Sequence, residues 1–303
     1  MRNAVLAKSK KKKPIGEIIF ILSLLVFPLI QVAIWYFYLN FEAVAQAFKN
    51  VNPDLTYDWV GFKNFTEVWA DFTKKNSLLY VGFWNNWKMY IIAWILSTPT
   101  SFLFSFIIFK KYPLSGVYRL LVMVPSILSP IMTGLIYRKF MLNLPNLHLG
   151  GLLVPDFLGE EKYRFWTVVI YNVIMGFSTS SVIYPNIMND IDVEIRESAL
   201  LEGASALEEF WYIVFPYCIP TFTTFTIGNI PGIFGAGPLF SFWGYDAPAD
   251  IYTVGYHIFK QTMNGGTAWY GYTSALNIMM MLITIPLTFG VKTLLEKADP
   301  LND

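Results

Sequence analysis

Six long apolar runs constrain this chain more than any other feature of its sequence. A bilayer core of about 30 Å requires roughly 20 predominantly apolar residues for each helical crossing. Runs of that length, with most charges kept to their ends, predict an all-α, polytopic membrane protein with six transmembrane helices. The predicted spans cover residues 18–39, 87–109, 120–137, 165–188, 217–234 and 272–291.

The composition agrees with a membrane protein and excludes one large class of function. Hydrophobic residues make up 55% of the chain and charged residues 14%, whereas a soluble domain has about 25% charged residues. The formal net charge is only +1. No excess of basic charge therefore points to binding of nucleic acid.

Residues that could carry chemistry are scarce. The chain has one cysteine, Cys218, and two histidines, His148 and His257, which are far apart in sequence. A disulfide or a cluster of thiolate or imidazole metal ligands is therefore not expected. The middles of the predicted spans lack the ionisable residues of an ion-coupled pump, and no Walker phosphate-binding loop occurs. We expect no catalytic residue, no bound cofactor and no metal, and we interpret the chain as a pore subunit driven by a separate motor.

Basic residues beside the spans predict the orientation, because lysine and arginine favour the cytoplasmic side. A lysine cluster at 8–13 precedes the first span, and Lys110, Lys111 and Arg119 lie between the second and third. Both groups are expected inside, and six crossings then place the C-terminus inside as well. Four basic residues fall on the predicted outer side and run against this rule: Arg138, Lys139, Lys162 and Arg164.

The same reasoning divides the chain into three parts. Residues 1–17 form a basic cytoplasmic N-terminal tail, and residues 18–291 form the transmembrane domain. Residues 292–303 form a short cytoplasmic C-terminal tail.

The segment 189–216, between the fourth and fifth spans, is acidic and has a helical period. Asp192 is predicted to cap a first short helix, and Gly203 to end it in a left-handed conformation. Ser205 and Glu208 form a capping box that starts a second helix. Such a pair either docks in a groove of another protein or lies on the lipid surface. Its acidity favours docking, because helices at membrane surfaces are usually basic.

The run ESALLEGAS at 197–205, followed by Phe210, Ile213 and Pro216, resembles the EAA loop of importer-type ABC transporter permeases. Ser198 replaces the first alanine of that motif and Glu202 stands where aspartate is common, whereas the other motif residues fall at the family's spacing. The resemblance implies a cytoplasmic coupling helix that enters a cleft of an ATPase subunit. The coupling residues that it implies are Glu197, Ala199, Glu202, Gly203 and Ala204.

The resemblance extends over most of the chain and points to the sugar-importer branch of that family. It includes WVGFKNF at 59–65, Pro125, Pro130 and YGYTSA at 270–275, whereas Gly-Ala-Gly-Pro at 235–238 replaces a common Gly-Gly-Gly-Pro. It implies a permease subunit of a bacterial plasma membrane that imports a carbohydrate, with an oligosaccharide preferred. The implied partners are a second permease subunit, two ATPase subunits that hold ATP and Mg, and an extracellular solute-binding protein.

Neutral polar side chains in the fourth and fifth spans suit the hydroxyl groups of a sugar. The resemblance implies that these two helices, on either side of the EAA loop, line the sugar path. Helix packing is the competing interpretation, and it is favoured for Ser180 and Thr224. The predicted pathway residues are Asn172, Gly176, Thr179 and Asn229.

Two other functions remain open on the sequence alone. One is an ABC permease for a non-sugar solute such as an amino acid, phosphate or a peptide. The other is a self-contained facilitator without an ATPase partner, although no inverted internal repeat is evident in the sequence.

Overall fold

The computed structural model describes residues 15–52, 54, 56–146 and 154–297. The predicted lysine cluster at 8–13, His148 and the end of the predicted C-terminal tail, 298–303, lie outside the described residues. Within the described ranges the fold is almost entirely helical, as predicted.

The described residues contain five helices that are long and apolar enough to cross a membrane. The first is α1 (Ile15–Gln31), which continues through a π-helical segment, Val32–Tyr38, into α2 (Leu39–Gln46). None of its apolar window is buried within this chain. The fifth predicted span is also composite, because α9 and a π-helical segment, Phe210–Val214, lead into α10. The bounds are α1 Ile15–Gln31, α2 Leu39–Gln46, α4 Leu78–Phe109, α7 Glu161–Asn189, α9 Ala206–Glu209, α10 Phe215–Asn229 and α13 Tyr270–Lys297.

The prediction of one continuous third span over 120–137 was wrong. Two helices, α5 (Ser115–Ile127) and α6 (Pro130–Asn143), meet there with a bend of 112°. Leu128 and Ser129 between them are extended, with ψ of 148° and 138°. A residue before proline avoids the helical conformation for steric reasons, and proline itself suits the first position of a helix. Pro130 therefore ends one helix and starts the next.

The first helix of the bent pair, α5, packs against α7, and α6 touches α7 near its own start. The hydroxyl of Ser178 donates to the carbonyl of Val122 at 2.6 Å. Further along, the hydroxyls of Thr133 and Tyr171 lie 3.1 Å apart. If the bent pair is counted as one broken span, the described residues contain six candidate spans.

The centre of the fold is the pair α4 and α7, which pack along most of their length. At one end of this pair, Met89, Tyr171 and Phe242 belong to one buried apolar cluster. At the other end, Phe102 and Tyr184 stack with ring centroids 4.5 Å apart in a second cluster. Among the helices named so far, α5 and α10 pack against α7, whereas α13 packs against α10 and α2.

Short elements connect the long helices. Two strands form an antiparallel hairpin, β1 (Lys49–Val51) and β2 (Tyr57–Trp59), with Lys49 opposite Trp59. This hairpin was not predicted from the sequence. The other short elements are α3 Lys63–Thr73, α8 Val193–Leu201, α11 Leu239–Trp243, α12 Val254–Asn264 and the 3-10 segments Leu144–Asn146, Ile230–Phe234, Ala249–Ile251 and Thr267–Trp269.

Candidate functional site

A cavity of about 380 Å³ lies between α4, α7 and the region of α10. Its walls carry hydroxyl, amide and aromatic side chains, and none of its lining residues is charged. Neutral solutes with many hydroxyl groups suit such a lining, because amides and hydroxyls both donate and accept hydrogen bonds.

The structure brings the four predicted pathway residues together around this cavity. They come from α7 and from the end of α10, and all four lie in its wall: Asn172, Gly176, Thr179 and Asn229. Ser180 lies there as well, whereas Thr224 is exposed and donates to the carbonyl of Pro220 at 2.9 Å. Their predicted role toward a substrate stays a prediction.

The amides of Asn172 and Asn229 differ from that of Asn86 in the wall of the same cavity. In the described residues neither side chain makes a hydrogen bond within the chain, although both face the cavity. Asn86 also lines the cavity, but its amide is committed to backbone groups. Because Asn172 is half-buried and Asn229 is exposed, both amides are available to a bound solute.

Aromatic side chains of the cavity were missed by the sequence analysis. Trp94 and Phe222 face each other with ring centroids 6.2 Å apart, and Tyr90 and Phe225 line the same space. The signal that could have identified them was Trp94 in the middle of an apolar run, away from the interface where tryptophan usually lies. Flat aromatic faces can pack on the C–H faces of a sugar ring.

The acidic loop after α7 folds largely as predicted. α8 ends in a Schellman motif, in which Ala204 N donates to Ala199 O at 3.0 Å and Gly203 N donates to Leu200 O at 3.1 Å. Gly203 has φ of +84°, and a side-chain atom there would meet no other atom within 4 Å. One expectation was wrong, because Asp192 makes no side-chain cap to α8.

The capping box at the start of α9 is confirmed. Glu208 N donates to the hydroxyl of Ser205 at 3.3 Å, and Ser205 N donates to the Glu208 carboxylate at 2.7 Å. The loop presents an acidic and apolar surface outward, with Leu201 90% exposed and Leu207 71% exposed. The predicted coupling residues Glu197, Glu202 and Gly203 are exposed, and Ala199 and Ala204 are half-buried.

No family model matches the chain, but curated proteins and solved structures do. It is 20% identical over 264 residues to the arabinooligosaccharides transport system permease protein AraP of Halalkalibacterium halodurans, covering 83% of this chain and 80% of AraP. It is 24% identical over 293 residues to the maltodextrin transport system permease protein MalC of Streptococcus pneumoniae, covering 87% of this chain and 64% of MalC. The chain is a homologue of sugar ABC importer permeases.

A solved structure confirms the permease fold. The chain matches a bacterial alginate ABC transporter, solved in complex with an alginate pentasaccharide-bound periplasmic protein, with a TM-score of 0.74 and 16% identity. The match covers 94% of this chain and 98% of that one. Homologues of this kind are integral membrane proteins and transport components rather than enzymes.

Two adjacent asparagines of this permease homologue hold the loops near the cavity, and the sequence analysis missed both. Asn85 donates to the carbonyls of Asp250 and Tyr252 at 2.7 and 3.1 Å. Asn86 donates to Ile233 O at 2.7 Å and accepts from Val254 N at 2.8 Å. The predicted second span begins at residue 87, so the sequence analysis placed both asparagines outside the helix, whereas α4 begins at Leu78 and includes them.

His257 on α12 is the one histidine among the described residues. It is buried, and neither ring nitrogen has a hydrogen-bond partner within the described part of the chain. Burial lowers the pKa of this imidazole below its ordinary value of 6.5, against the opposing influence of the Asp71 carboxylate. The side chain is therefore neutral at pH 7.

Proposed function

We propose that this chain forms part of the translocation pathway of an ATP-driven importer, and that its cargo is a neutral carbohydrate, in particular an oligosaccharide. The observation that supports this most is the uncharged cavity, which is lined by two free amides, Asn172 and Asn229, and by aromatic side chains. Relatives named for arabinooligosaccharides and maltodextrin favour the same class of cargo.

The charge of the cavity distinguishes this cargo from the alternatives. Phosphate, an acidic amino acid or an acidic oligosaccharide would require basic groups near its anion. None of the residues that line the cavity is Lys or Arg. A neutral sugar needs only hydrogen-bonding groups and apolar faces. The uncharged lining therefore favours a neutral sugar over a charged solute as the cargo.

We further propose that both termini and the α8–α9 loop are cytoplasmic. The basic residues Lys110, Lys111 and Arg119 flank the same end of the helix bundle as this loop, which the positive-inside rule assigns to the cytoplasm. The β1–β2 hairpin and the loops held by Asn85 then face the exterior.

This orientation determines on which side of the membrane each proposed partner would bind. Two ATPase subunits, which bring ATP and Mg, would dock at the α8–α9 loops of this chain and of a second permease subunit. An extracellular solute-binding protein would deliver the sugar at the opposite face, and the assembly would lie in a bacterial plasma membrane. A facilitator without an ATPase would have no use for an exposed, rigidly capped loop of this kind.

Purification in mild detergent tests the proposal. Co-purification of a second membrane subunit and of an ATPase whose hydrolysis rises with sugar-loaded binding protein would support it. Isolation of the chain alone, with sugar equilibrating across vesicles in the absence of ATP, would favour the facilitator instead. Stimulation of hydrolysis by an acidic oligosaccharide and not by a neutral one would contradict the assigned cargo.

A further inference from the structure

Glu209 stands apart from the other acidic side chains of the α8–α9 loop. Its side chain is 2% exposed, whereas its neighbour Glu208 and the loop residues Glu194, Glu197 and Glu202 are exposed. In the sequence it belongs to one acidic run. In the structure it is the member of that run that points into the protein.

Two cations from different elements meet this buried carboxylate. The ammonium of Lys110, directly after α4, contacts one carboxylate oxygen of Glu209. The guanidinium of Arg196 on α8 lies 3.5 Å from the other. One carboxylate therefore joins the neighbouring helices α8 and α9 to the end of α4, which lies 99 positions earlier in the chain.

Aromatic rings pack around this ion-pair cluster. Arg196 lies over the ring of Phe109 at 4.4 Å from its centroid. Phe106 on α4 and Phe210 after α9 pack edge to face with centroids 5.2 Å apart. A buried carboxylate that loses one cation keeps its desolvation cost without the compensating attraction. The cluster therefore holds the loop against α4 in one arrangement.

α4 also forms one wall of the cavity, through Tyr90 and Trp94. The ion pairs reach the same continuous helix, α4, which contains Pro99 between Lys110 and Trp94. A displacement of the loop by a docked partner would therefore reach the cavity wall as a shift or a bend of α4. We propose that Glu209 is a positioning residue, which couples the α8–α9 loop to the helix that lines the sugar path. This inference rests on the proposed function.

The test compares two adjacent glutamates in the assembled complex. Glu209→Gln removes the buried charge and leaves the side-chain shape, and Glu208→Gln is the matched control, because glutamine can keep the capping box. With Glu209→Gln we expect basal ATP hydrolysis to persist and sugar uptake per ATP hydrolysed to fall by about fivefold or more. With Glu208→Gln, sugar uptake per ATP hydrolysed should stay at the level of the original chain, because Glu208 makes no hydrogen bond or ion pair with α4 in the described part of the chain.

A double-mutant cycle separates coupling from general damage. Lys110→Met should reproduce the defect of Glu209→Gln, and the double variant should be no worse than either single one, because partners of one pair are not additive. Additive losses, or a parallel fall of complex yield, basal hydrolysis and uptake, would overturn the proposal.

A second measurement does not require transport. In a Cys218→Ser background, spin labels at two exposed positions, Lys111→Cys and Glu194→Cys, report the distance between the end of α4 and α8. Glu209→Gln should broaden that distance distribution, and Glu208→Gln should not. An unchanged distribution would overturn the inference even if the complex imports sugar. A broadened one in a complex that imports no sugar would contradict the proposed function and leave the link intact.

Discussion

Asn86 accepts a hydrogen bond from the backbone N–H of Val254 at 2.8 Å, although the two residues are 168 positions apart. The same amide donates to the carbonyl of Ile233 at 2.7 Å. One side chain of α4 thus joins the segment after α10 to the start of α12. Asn86, Asn172 and Asn229 all line the cavity, but only the last two have amides without partners in the described chain.

Asn86→Leu should destabilise the protein rather than change its selectivity. It leaves a buried N–H and a carbonyl unpaired, at about 1 to 3 kcal/mol for each group. The expected result is a lower melting temperature and a lower yield of assembled complex. Uptake per assembled complex should stay close to that of the original chain, and a normal melting temperature would contradict the structural role.

Asn172→Leu should show the opposite order of effects. Its amide makes no hydrogen bond within the described chain, so assembly, melting temperature and basal ATP hydrolysis should be nearly unchanged. Sugar-stimulated uptake should fall by about fivefold or more, the loss expected when one hydrogen bond to a bound hydroxyl disappears. Measuring yield and uptake on the same preparation decides the matter, since a proportional fall of both would assign Asn172 to helix packing.

Gly203→Ala should impair coupling with little effect on the isolated chain. The residue has φ of +84°, where a side chain costs about 1 kcal/mol. The space around it within this chain is empty to 4 Å, so the added methyl group would collide only with a docked partner. Gly203→Leu should abolish transport while membrane insertion stays intact. Normal uptake with normal co-purification of the ATPase would remove the coupling role.

The stability of the protein should fall between pH 7 and pH 5.5 because of His257. Burial holds the folded-state pKa of this imidazole below the ordinary 6.5. As the pH falls, the imidazole is therefore protonated in the unfolded chain before it is protonated in the folded chain, which favours unfolding. Stability is fully present above pH 6.5 and is lost as the pH falls through that value. His257→Phe should flatten the dependence of the melting temperature over this interval, and an unchanged slope would contradict the assignment.

The sequence predicted much of the loop and of the cavity because the signals there are local. Ser205 and Glu208 satisfy each other across one helical turn, and Gly203 adopts the left-handed conformation that ends a helix. Asn172, Gly176 and Thr179 lie in the cavity wall as four- and three-residue spacing predicts.

Other features depend on contacts distant in sequence, and the sequence alone could not reveal them. The buried state of Glu209 requires Lys110, 99 residues earlier, and an acidic run gives no sign of it. The break of the third span was different, because Ser129 and Pro130 carried a local signal. The high mean hydropathy of residues 120–137 concealed this break, because a mean over the whole run does not respond to two non-helical residues in its middle.

Uptake by the purified complex in proteoliposomes tests the central claim most directly. Vesicles that contain ATP and external binding protein would be offered a labelled neutral oligosaccharide, an acidic oligosaccharide of equal length, or the neutral one without ATP. The account predicts accumulation of the neutral sugar above its external concentration, only with ATP, and its loss in the Asn172→Leu complex at unchanged yield. Accumulation of the acidic sugar alone, or entry of the neutral sugar without ATP, would contradict it.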